Sequence, residues 1–152
     1  MHPEPVRSAQ FEVRPTQNGD EVAAALELRT EVFVGEQGVS QEEEIDGRDG
    51  EARHLVAVDG DGRVVGTCRL LVDGERVKLG RMAVARDLRG RGVAGLLLAC
   101  ADDEARALGA RRIVLGAQLT AVGVYERAGY SAHGDVFLDA GIEHVWMDKA
   151  LG

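Results

Sequence analysis

One segment, residues 82–94, constrains the fold of this chain more than any other, because it joins a predicted strand to a predicted long helix through a glycine-rich turn. Residues 91–108 carry apolar side chains at helical spacing and therefore predict an amphipathic helix. Gly90 and Gly92 let the backbone approach a ligand without an intervening Cβ. The unpaired amides of the first helical turn then point at that ligand, with the positive end of the helix dipole behind them. The segment predicts a cradle for a polyanion such as a pyrophosphate.

The composition indicates one folded domain. The chain has 152 residues, of which 45% are hydrophobic, so we expect a single domain with its own core over residues 1–152, and a frayed terminus over residues 1–10. A net charge of −8 argues against nucleic-acid binding, because phosphate contacts need basic patches. Arg86, Arg89 and Arg91 form a basic cluster on this acidic background. Together with the neighbouring glycines they indicate an anion site rather than a solvated surface.

The two cysteines of the chain, Cys68 and Cys100, are far apart and lack a metal-binding spacing. Both fall on predicted buried faces, which favours core residues in a reducing cytoplasm. The sequence shows neither a signal-peptide pattern nor an apolar run of membrane-spanning length. We therefore expect a cytoplasmic protein that binds no membrane.

The order of the predicted elements indicates a mixed α+β fold. Strands are predicted over residues 11–14, 55–59, 64–72, 77–84, 113–115, 130–138 and 142–149. Helices are predicted after the N-cap Asn18, over residues 91–108 up to Gly109, and over residues 121–128 up to Gly129. Residues 35–50 are predicted as an acidic loop with one helical turn.

This order, together with Arg89, Gly92 and Ala94, resembles the GNAT superfamily of acyl-CoA-dependent N-acetyltransferases. The family signature is a Gln or Arg followed at fixed spacing by two small residues. In a second alignment of the signature, through Gly90 and Gly92, the lead position is Asp87, which departs from the family's Gln or Arg. Residues 116–118 and 125–130 look like the family's segment after the fifth strand. More narrowly, residues 28–29, 31–34, 36–38, 46–49 and 140–145 resemble the ElaA-like branch, and the likeness extends over residues 22–149.

The resemblance implies a GNAT-like α+β fold, in which helices flank a mostly antiparallel, splayed mixed sheet. It also implies acetyl-CoA as the co-substrate. No metal is expected, because residues 46–50 lack the alternating ligands and the twelfth-position Glu of a calcium loop. Backbone groups of Met82, Ala83 and Val84 are expected to pair with the pantetheine arm, between strands that separate near Met82 and Leu115, with a bulge near Gly80. The pyrophosphate is expected on the amides of Arg89, Gly90, Arg91, Gly92, Val93 and Ala94, and the remaining expected cofactor contacts are Gln118 and Tyr125.

The resemblance further implies that Tyr125 donates a proton to the departing thiolate, a role that suits a neutral phenol. The alternative is a packing role, with the hydroxyl bonded to backbone. In several relatives a carboxylate on the fourth strand deprotonates the amine, but the aligned residue here is Lys78, which cannot serve. Glu36, His54 and His144 remain as candidate bases. Glu36 could equally cap a turn. Each histidine could instead be a residue of the core or of an edge strand whose hydrogen bonds are made within the protein.

The sequence says less about the site of the amine substrate than about the site of acetyl-CoA. The acidic run over residues 42–46 is either a solvated loop or a rim that attracts a cationic amine. Arg29 lies on the apolar side of the first predicted helix, so we expect it to pair with Asp46 or Asp49. A substrate carboxylate is the alternative partner.

These expectations together predict an enzyme that transfers acetyl from acetyl-CoA to a primary amine by direct attack in a ternary complex, with the Val84 amide polarising the carbonyl. The acceptor is a small-molecule or protein amine, and the C-terminal strands could support a homodimer. Two alternatives stay open. One is a non-catalytic CoA-binding regulatory module, which stays open because Lys78 stands where several relatives have the fourth-strand carboxylate. The other is an acyl-homoserine-lactone synthase, whose first helix also carries an Arg followed by Val-Phe.

Overall fold

The computed structural model describes residues 2–152. Within this range the strands are β1 (Val6–Arg7), β2 (Glu12–Pro15), β3 (Arg53–Val58), β4 (Val64–Asp73), β5 (Arg76–Val84), β6 (Arg112–Gln118), β7 (Ser131–Asp139) and β8 (Ile142–Ala150). The helices are α1 (Gly19–Arg29), α2 (Gln41–Glu44), α3 (Val93–Ala107) and α4 (Val122–Arg127). A π-helical segment (Thr30–Glu36) continues α1, and short 3-10 turns (Arg86–Leu88 and Leu119–Ala121) precede α3 and α4.

The strands form one open sheet in the order β1-β2-β3-β4-β5-β6-β8-β7. Strands β5 and β6 are parallel, and the other neighbouring strands are antiparallel. The predicted mixed and mostly antiparallel sheet is therefore confirmed. The parallel pair lies in the interior of the sheet, between β4 and β8.

Helices cover both faces of the central strands. Val56 of β3 packs with Ala25 of α1. The next residue, Ala57, points to the other face of the sheet, where it lies opposite Gly66 of β4. A Cβ added to Gly66 would lie 2.7 Å from Cγ1 of Val93 in α3, so the glycine permits the close approach of that helix. Thus α1 and α3 pack on opposite faces.

The helix ends largely follow the signals in the sequence. Asn18 caps α1, because its side-chain oxygen accepts a hydrogen bond of 2.9 Å from the Glu21 amide. Gly109 lies beyond the end of α3 in the left-handed conformation, with φ of 82°. Helix α3 begins later than the predicted residue 91, because Gly92 is itself left-handed with φ of 82°.

Two regions differ in extent from the prediction. Val6 and Arg7 lie in the segment that we expected to fray, yet they pair with β2. Met1 belongs to the same segment and lies outside the described residues. Strand β6 is longer than the predicted 113–115, because β8 pairs with it as far as Gln118.

Both cysteines are free and buried, as predicted for core residues. Burial raises the pKa of the Cys100 thiol to about 12, which makes a reactive thiolate there unfavourable. Among residues 2–152, the structure contains no helix with the length and apolar character needed to cross a bilayer.

Candidate functional site

The parallel strands β5 and β6 pair along only part of their length. Paired β5 residues run from Arg76 to Lys78, although β5 continues to Val84 and β6 continues to Gln118. The strands therefore separate beyond Lys78 and leave the facing edge of each without a partner strand. This is the splay that the resemblance implied.

A bulge in β5 accompanies the separation. The β4–β5 register shifts between the pairs Thr67–Ala83 and Arg69–Gly80, which leaves two β5 residues opposite one β4 residue. One of the two, Arg81, has φ of 55°, a left-handed conformation that is strained for a residue with a Cβ. The bulge expected near Gly80 is thus present at the residues that follow it.

A cleft of about 1080 Å³ occupies the space between the separated strands. Residues of β5 and β6, the start of α3, α4 and the β7–β8 hairpin all contribute to its walls. Of the predicted cofactor contacts, the lining includes Met82, Ala83, Val84, Arg89, Gly90, Gly92, Val93, Ala94, Gln118 and Tyr125. Arg91 is exposed and does not line the cleft.

The start of α3 has the features of an anion cradle. Gly90 and Gly92 are both left-handed, with φ of 79° and 82°. A Cβ added to either would meet no atom within 4 Å, so both glycines face open space. No side chain caps the helix, and its first turn holds no acidic residue. The first amides of α3 therefore remain available to an anion in the cleft.

The backbone of β5 presents further groups to the cleft. The Ala85 amide donates a hydrogen bond of 2.8 Å to the Val65 carbonyl on the β4 side. Because antiparallel pairing alternates along a strand, the N–H and C=O of Val84 point toward the opposite edge, which is the cleft. The Val84 carbonyl accepts a bond of 3.1 Å from Arg89 Nε. The Val84 amide is left as a donor beside it.

Tyr125 lies in α4, is only 7% exposed and lines the same cleft. Its ring packs edge-on against Tyr130, with the ring centroids 6.0 Å apart. Burial, with a smaller contribution from nearby Cys68, raises the pKa of Tyr125 to about 12. The hydroxyl is therefore protonated at neutral pH.

The end of the π-helical segment bridges both walls of the cleft. Glu36 forms two hydrogen bonds with the Arg89 guanidinium, of 2.7 and 2.9 Å. The next residue, Gln37, accepts a bond of 2.9 Å from the Gln118 side chain at the end of β6. The bond from Arg89 lowers the pKa of Glu36, so this carboxylate is a weaker base than an unpaired one.

The structure separates the two candidate histidines. His144 lines the cleft, and its Nδ1 lies 2.7 Å from the Ile142 carbonyl. A carbonyl can only accept, so Nδ1 carries the proton of the neutral ring and Nε2 keeps a free lone pair. His54 is buried outside the cleft lining, with Nε2 2.9 Å from the Asp49 carbonyl. The cleft thus brings His144 together with Tyr125 but does not include His54.

An aromatic wall was not predicted from the sequence. Phe137 of β7 stacks on Trp146 and on His144 of β8, with ring centroids 4.9 and 5.7 Å apart. Lys78 was discussed above only as a residue that cannot act as the base. Its Nζ lies 5.4 Å from the centre of the Trp146 ring. The available signal was the spacing of two between His144 and Trp146, which puts both side chains on one face of a strand.

The acidic loop is held by arginines rather than left open. Arg29 Nε bonds Glu44 at 2.6 Å, and Arg29 Nη1 bonds Asp49 at 2.6 Å. Arg69 of β4 pairs with both Asp46 and Asp49. The Arg69 hydrogen bond lowers the pKa of Asp46 well below its usual range. Burial opposes ionisation of Asp49, yet its pKa is also lowered because two guanidinium groups contact it.

The expected pairing of Arg29 with Asp46 or Asp49 is therefore confirmed: Asp49 is its partner, whereas Asp46 pairs with Arg69. Glu44 is the second partner of Arg29; it is 3% exposed and could not be told from its acidic neighbours by sequence alone. Among residues 2–152, the structure brings together no group of three or more His, Cys, Asp or Glu side chains that could hold a metal ion.

Comparison with known proteins gives a consistent result. A family model described as an acetyltransferase (GNAT) domain matches residues 13–151. The uncharacterised N-acetyltransferase YjcF of Bacillus subtilis is 38% identical over 133 residues, which cover 87% of this chain and 94% of YjcF. The crystal structure of an acyl-CoA N-acyltransferase from Pseudomonas aeruginosa has a TM-score of 0.79 at 31% identity and covers 92% of this chain and 99% of that one. The structure of Escherichia coli ElaA has a TM-score of 0.78 at 26% identity, over 91% and 97% of the two chains.

Proposed function

This chain belongs to the GNAT family of acetyltransferases, and from that premise we propose that it transfers acetyl from acetyl-CoA to a primary amine. The observation that carries the proposal is the position of the cleft. The separated edges of β5 and β6, the glycine cradle of α3 and the Tyr125 side chain all border one space. That arrangement can hold a long polyanionic thioester and present its carbonyl to a second substrate.

The cradle would hold the pyrophosphate of acetyl-CoA. The amides at the start of α3 lack partners within the helix, and the glycines before it leave room for oxygen atoms to approach. Arg89 adds a positive charge at the same place, although it must share its guanidinium with Glu36. Arg91 is exposed outside the lining, so we assign only its backbone amide to the phosphate.

The free edge of β5 would hold the pantetheine arm. An extended amide chain can add to such an edge as a further strand, with main-chain hydrogen bonds along its length. Met82, Ala83 and Val84 line the cleft on this edge, and the Val84 amide points into it. We assign this amide to the thioester oxygen, where it would stabilise the negative charge that develops during attack.

The attacking amine must lose a proton, and His144 is the candidate base that the geometry supports. Its Nε2 has a free lone pair in the tautomer that the Ile142 carbonyl selects, and the ring lines the cleft. Glu36 is paired with Arg89, and His54 lies outside the cleft lining. His144 would accept the proton directly or through one water.

Tyr125 would donate to the sulfur atom as the thiolate leaves. A phenol with a pKa raised to about 12 keeps its proton at neutral pH. The burial that raises the pKa of the phenol would also disfavour a bare thiolate in the same cleft, which promotes donation to sulfur. Attack, charge stabilisation and proton donation then occur in one ternary complex, where positioning supplies much of the rate.

Release of CoA thiol tests this proposal, measured with acetyl-CoA and a panel of primary amines that includes peptides. Amine-dependent release above the hydrolysis background supports transfer. Acetyl-CoA binding without release for any amine would instead support the regulatory module that Lys78 keeps open. Release that requires S-adenosylmethionine would point to the lactone synthase reaction.

We also propose that two copies associate through the edge strand β7. This strand ends the sheet, and its apolar residues Val136 and Leu138 are 51% and 70% exposed. Exposed apolar side chains on an unpaired edge favour association with another chain. Light scattering on the intact protein should give a dimer mass that Leu138→Glu converts to a monomer; a monomer mass for both would contradict this arrangement.

A further inference from the structure

Resting on the proposed function, we propose that the acceptor amine also carries a carboxylate, which binds Lys78, and a flat or apolar body, which packs on Trp146 and Phe137. An amino acid with an aromatic side chain is the simplest member of this class. The proposal follows from the distribution of charge in the cleft and from the aromatic wall described above.

Three carboxylates of the acidic loop are bonded to arginines and are not free to select a polycationic acceptor. Glu44 and Asp49 are bonded to Arg29, and Asp46 is bonded to Arg69. Arg81 reaches the same loop and donates to the Glu44 carbonyl at 3.0 Å. Three carboxylates are therefore matched by three guanidinium groups, which leaves little net negative potential from this cluster.

Lys78, in contrast, carries a charge without a matching carboxylate. Its Nζ contacts the face of Trp146, and among the described residues no acidic side chain lies within ion-pair distance of it. The second lysine of the chain, Lys149, bonds Asp102 at 2.5 Å and the Ala128 carbonyl at 2.8 Å. Lys78 lines the cleft at the point where β5 and β6 separate. An anionic group on a ligand would provide the partner that it lacks.

The aromatic wall stands beside this cation. Trp146 remains 39% exposed although it stacks on Phe137, so part of its ring is available to a ligand. His144 stacks on the same Phe137 ring, with the ring centroids 5.7 Å apart. A ligand held by Lys78 and Trp146 would therefore lie close to the ring that we assign as the base.

Two further carboxylates complete the recognition. Glu43 and Asp139 also line the cleft, and neither is paired with Lys78. They can attract the ammonium form of the acceptor while Lys78 holds its carboxylate. A zwitterion satisfies both signs of charge, whereas a simple cationic amine leaves Lys78 unmatched and is repelled by it.

The chain offers a direct probe, because Trp146 is its only tryptophan. We would titrate the protein, with CoA bound, with L-phenylalanine, L-phenylalaninamide and phenethylamine, and follow tryptophan fluorescence. Loss of one charged hydrogen bond should make the two ligands without a carboxylate bind about 10-fold to 100-fold more weakly than phenylalanine. Lys78→Met should remove this preference. Arg76→Met is the matched control, since it deletes a cation from the same strand outside the cleft lining and should retain the preference.

Collisional quenching gives a second readout that needs no acceptor. Relative to free N-acetyltryptophanamide, a protein with a net charge of −8 should favour quenching by caesium over iodide, but a free Lys78 should raise the iodide-to-caesium quenching ratio of Trp146 above that of the free amide. Lys78→Met should bring this ratio below that of the free amide, and Arg76→Met should not.

Three results would overturn the inference: equal affinity for the three ligands or binding of none, a carboxylate preference that persists in Lys78→Met, or an iodide-to-caesium quenching ratio below that of free N-acetyltryptophanamide. Acetyl transfer to phenethylamine as efficient as to phenylalanine would also reject this acceptor class, while leaving the proposed transferase function intact. Failure of transfer to every amine, with the carboxylate preference retained, would reject the transferase function instead.

Discussion

Replacing Gly92 with glutamate should abolish CoA binding while leaving the fold largely intact. Gly92 has φ of 82° and faces open space, so the new side chain meets no protein atom near its Cβ but enters the proposed phosphate site. A carboxylate about 4 Å from one phosphate charge is repelled by about 4 kcal/mol at an effective dielectric constant of about 20. That corresponds to roughly a thousand-fold loss of affinity.

Gly62→Glu is a matched control. Gly62 has φ of 83° in the β3–β4 turn, also faces open space and lies outside the cleft. Each substitution places an L-residue in a left-handed conformation at a cost of about 1 kcal/mol, so both variants should melt about 2–4 °C lower. Isothermal calorimetry with CoA should show lost binding for Gly92→Glu alone. Unchanged affinity in that variant, or equal loss in Gly62→Glu, would refute the assignment of the cradle.

Further predictions concern the two catalytic side chains and the charged loop. Tyr125→Phe should lower the turnover number for thiol release about 100-fold with little change in CoA affinity, because only the leaving group loses its donor; unchanged turnover would return Tyr125 to a packing role. His144→Gln should lower kcat/KM for acetyl transfer about 100-fold with little change in CoA affinity. An unchanged kcat/KM would exclude His144 as the base. The lowered pKa values of Asp46 and Asp49 mean that their charges stabilise the fold above about pH 4, the usual value in unfolded chains, and that this stabilisation is lost as the pH falls through the folded-state values. Urea unfolding at pH 7 and pH 3 should show a smaller pH dependence for Asp49→Asn than for the wild type or for the exposed control Asp135→Asn, and an equal dependence in all three would contradict this.

Local signals in the sequence were sufficient where a single residue type determines the backbone. Asn18 caps α1 and Gly109 ends α3 as predicted, because each role depends on that residue's own side chain or its absence. The splay between β5 and β6 came from the resemblance rather than from periodicity. Strand order and bulge position depend on pairing between distant segments, which hydrophobic patterning does not encode.

The residues around the proposed acceptor site show why their side-chain contacts could not be predicted from the sequence. The run of acidic residues in the acidic loop looks uniform in sequence. In the structure, however, Glu44 is buried against Arg29, whereas Glu43 lines the cleft. Which carboxylate is neutralised depends on guanidinium groups from α1 and β4, which tertiary packing brings to the loop. The left-handed conformation falls on Arg81 rather than on the neighbouring Gly80, against the intrinsic preference of each residue. The Arg81 side chain donates to the Glu44 carbonyl in the acidic loop, and this contact helps to hold Arg81 in the left-handed conformation.

The most direct test of the central claim is a nuclear magnetic resonance titration of the uniformly ¹⁵N-labelled protein with CoA. If the pyrophosphate binds the start of α3, the amides of Gly90, Gly92, Val93 and Ala94 should show the largest shifts, downfield as expected for donors to phosphate oxygen. Pantetheine, which lacks the pyrophosphate of CoA, should shift the amides of β5 but not these four. Shifts that leave the four amides unchanged at saturating CoA, or that cluster elsewhere in the chain, would contradict the cradle and the function built on it.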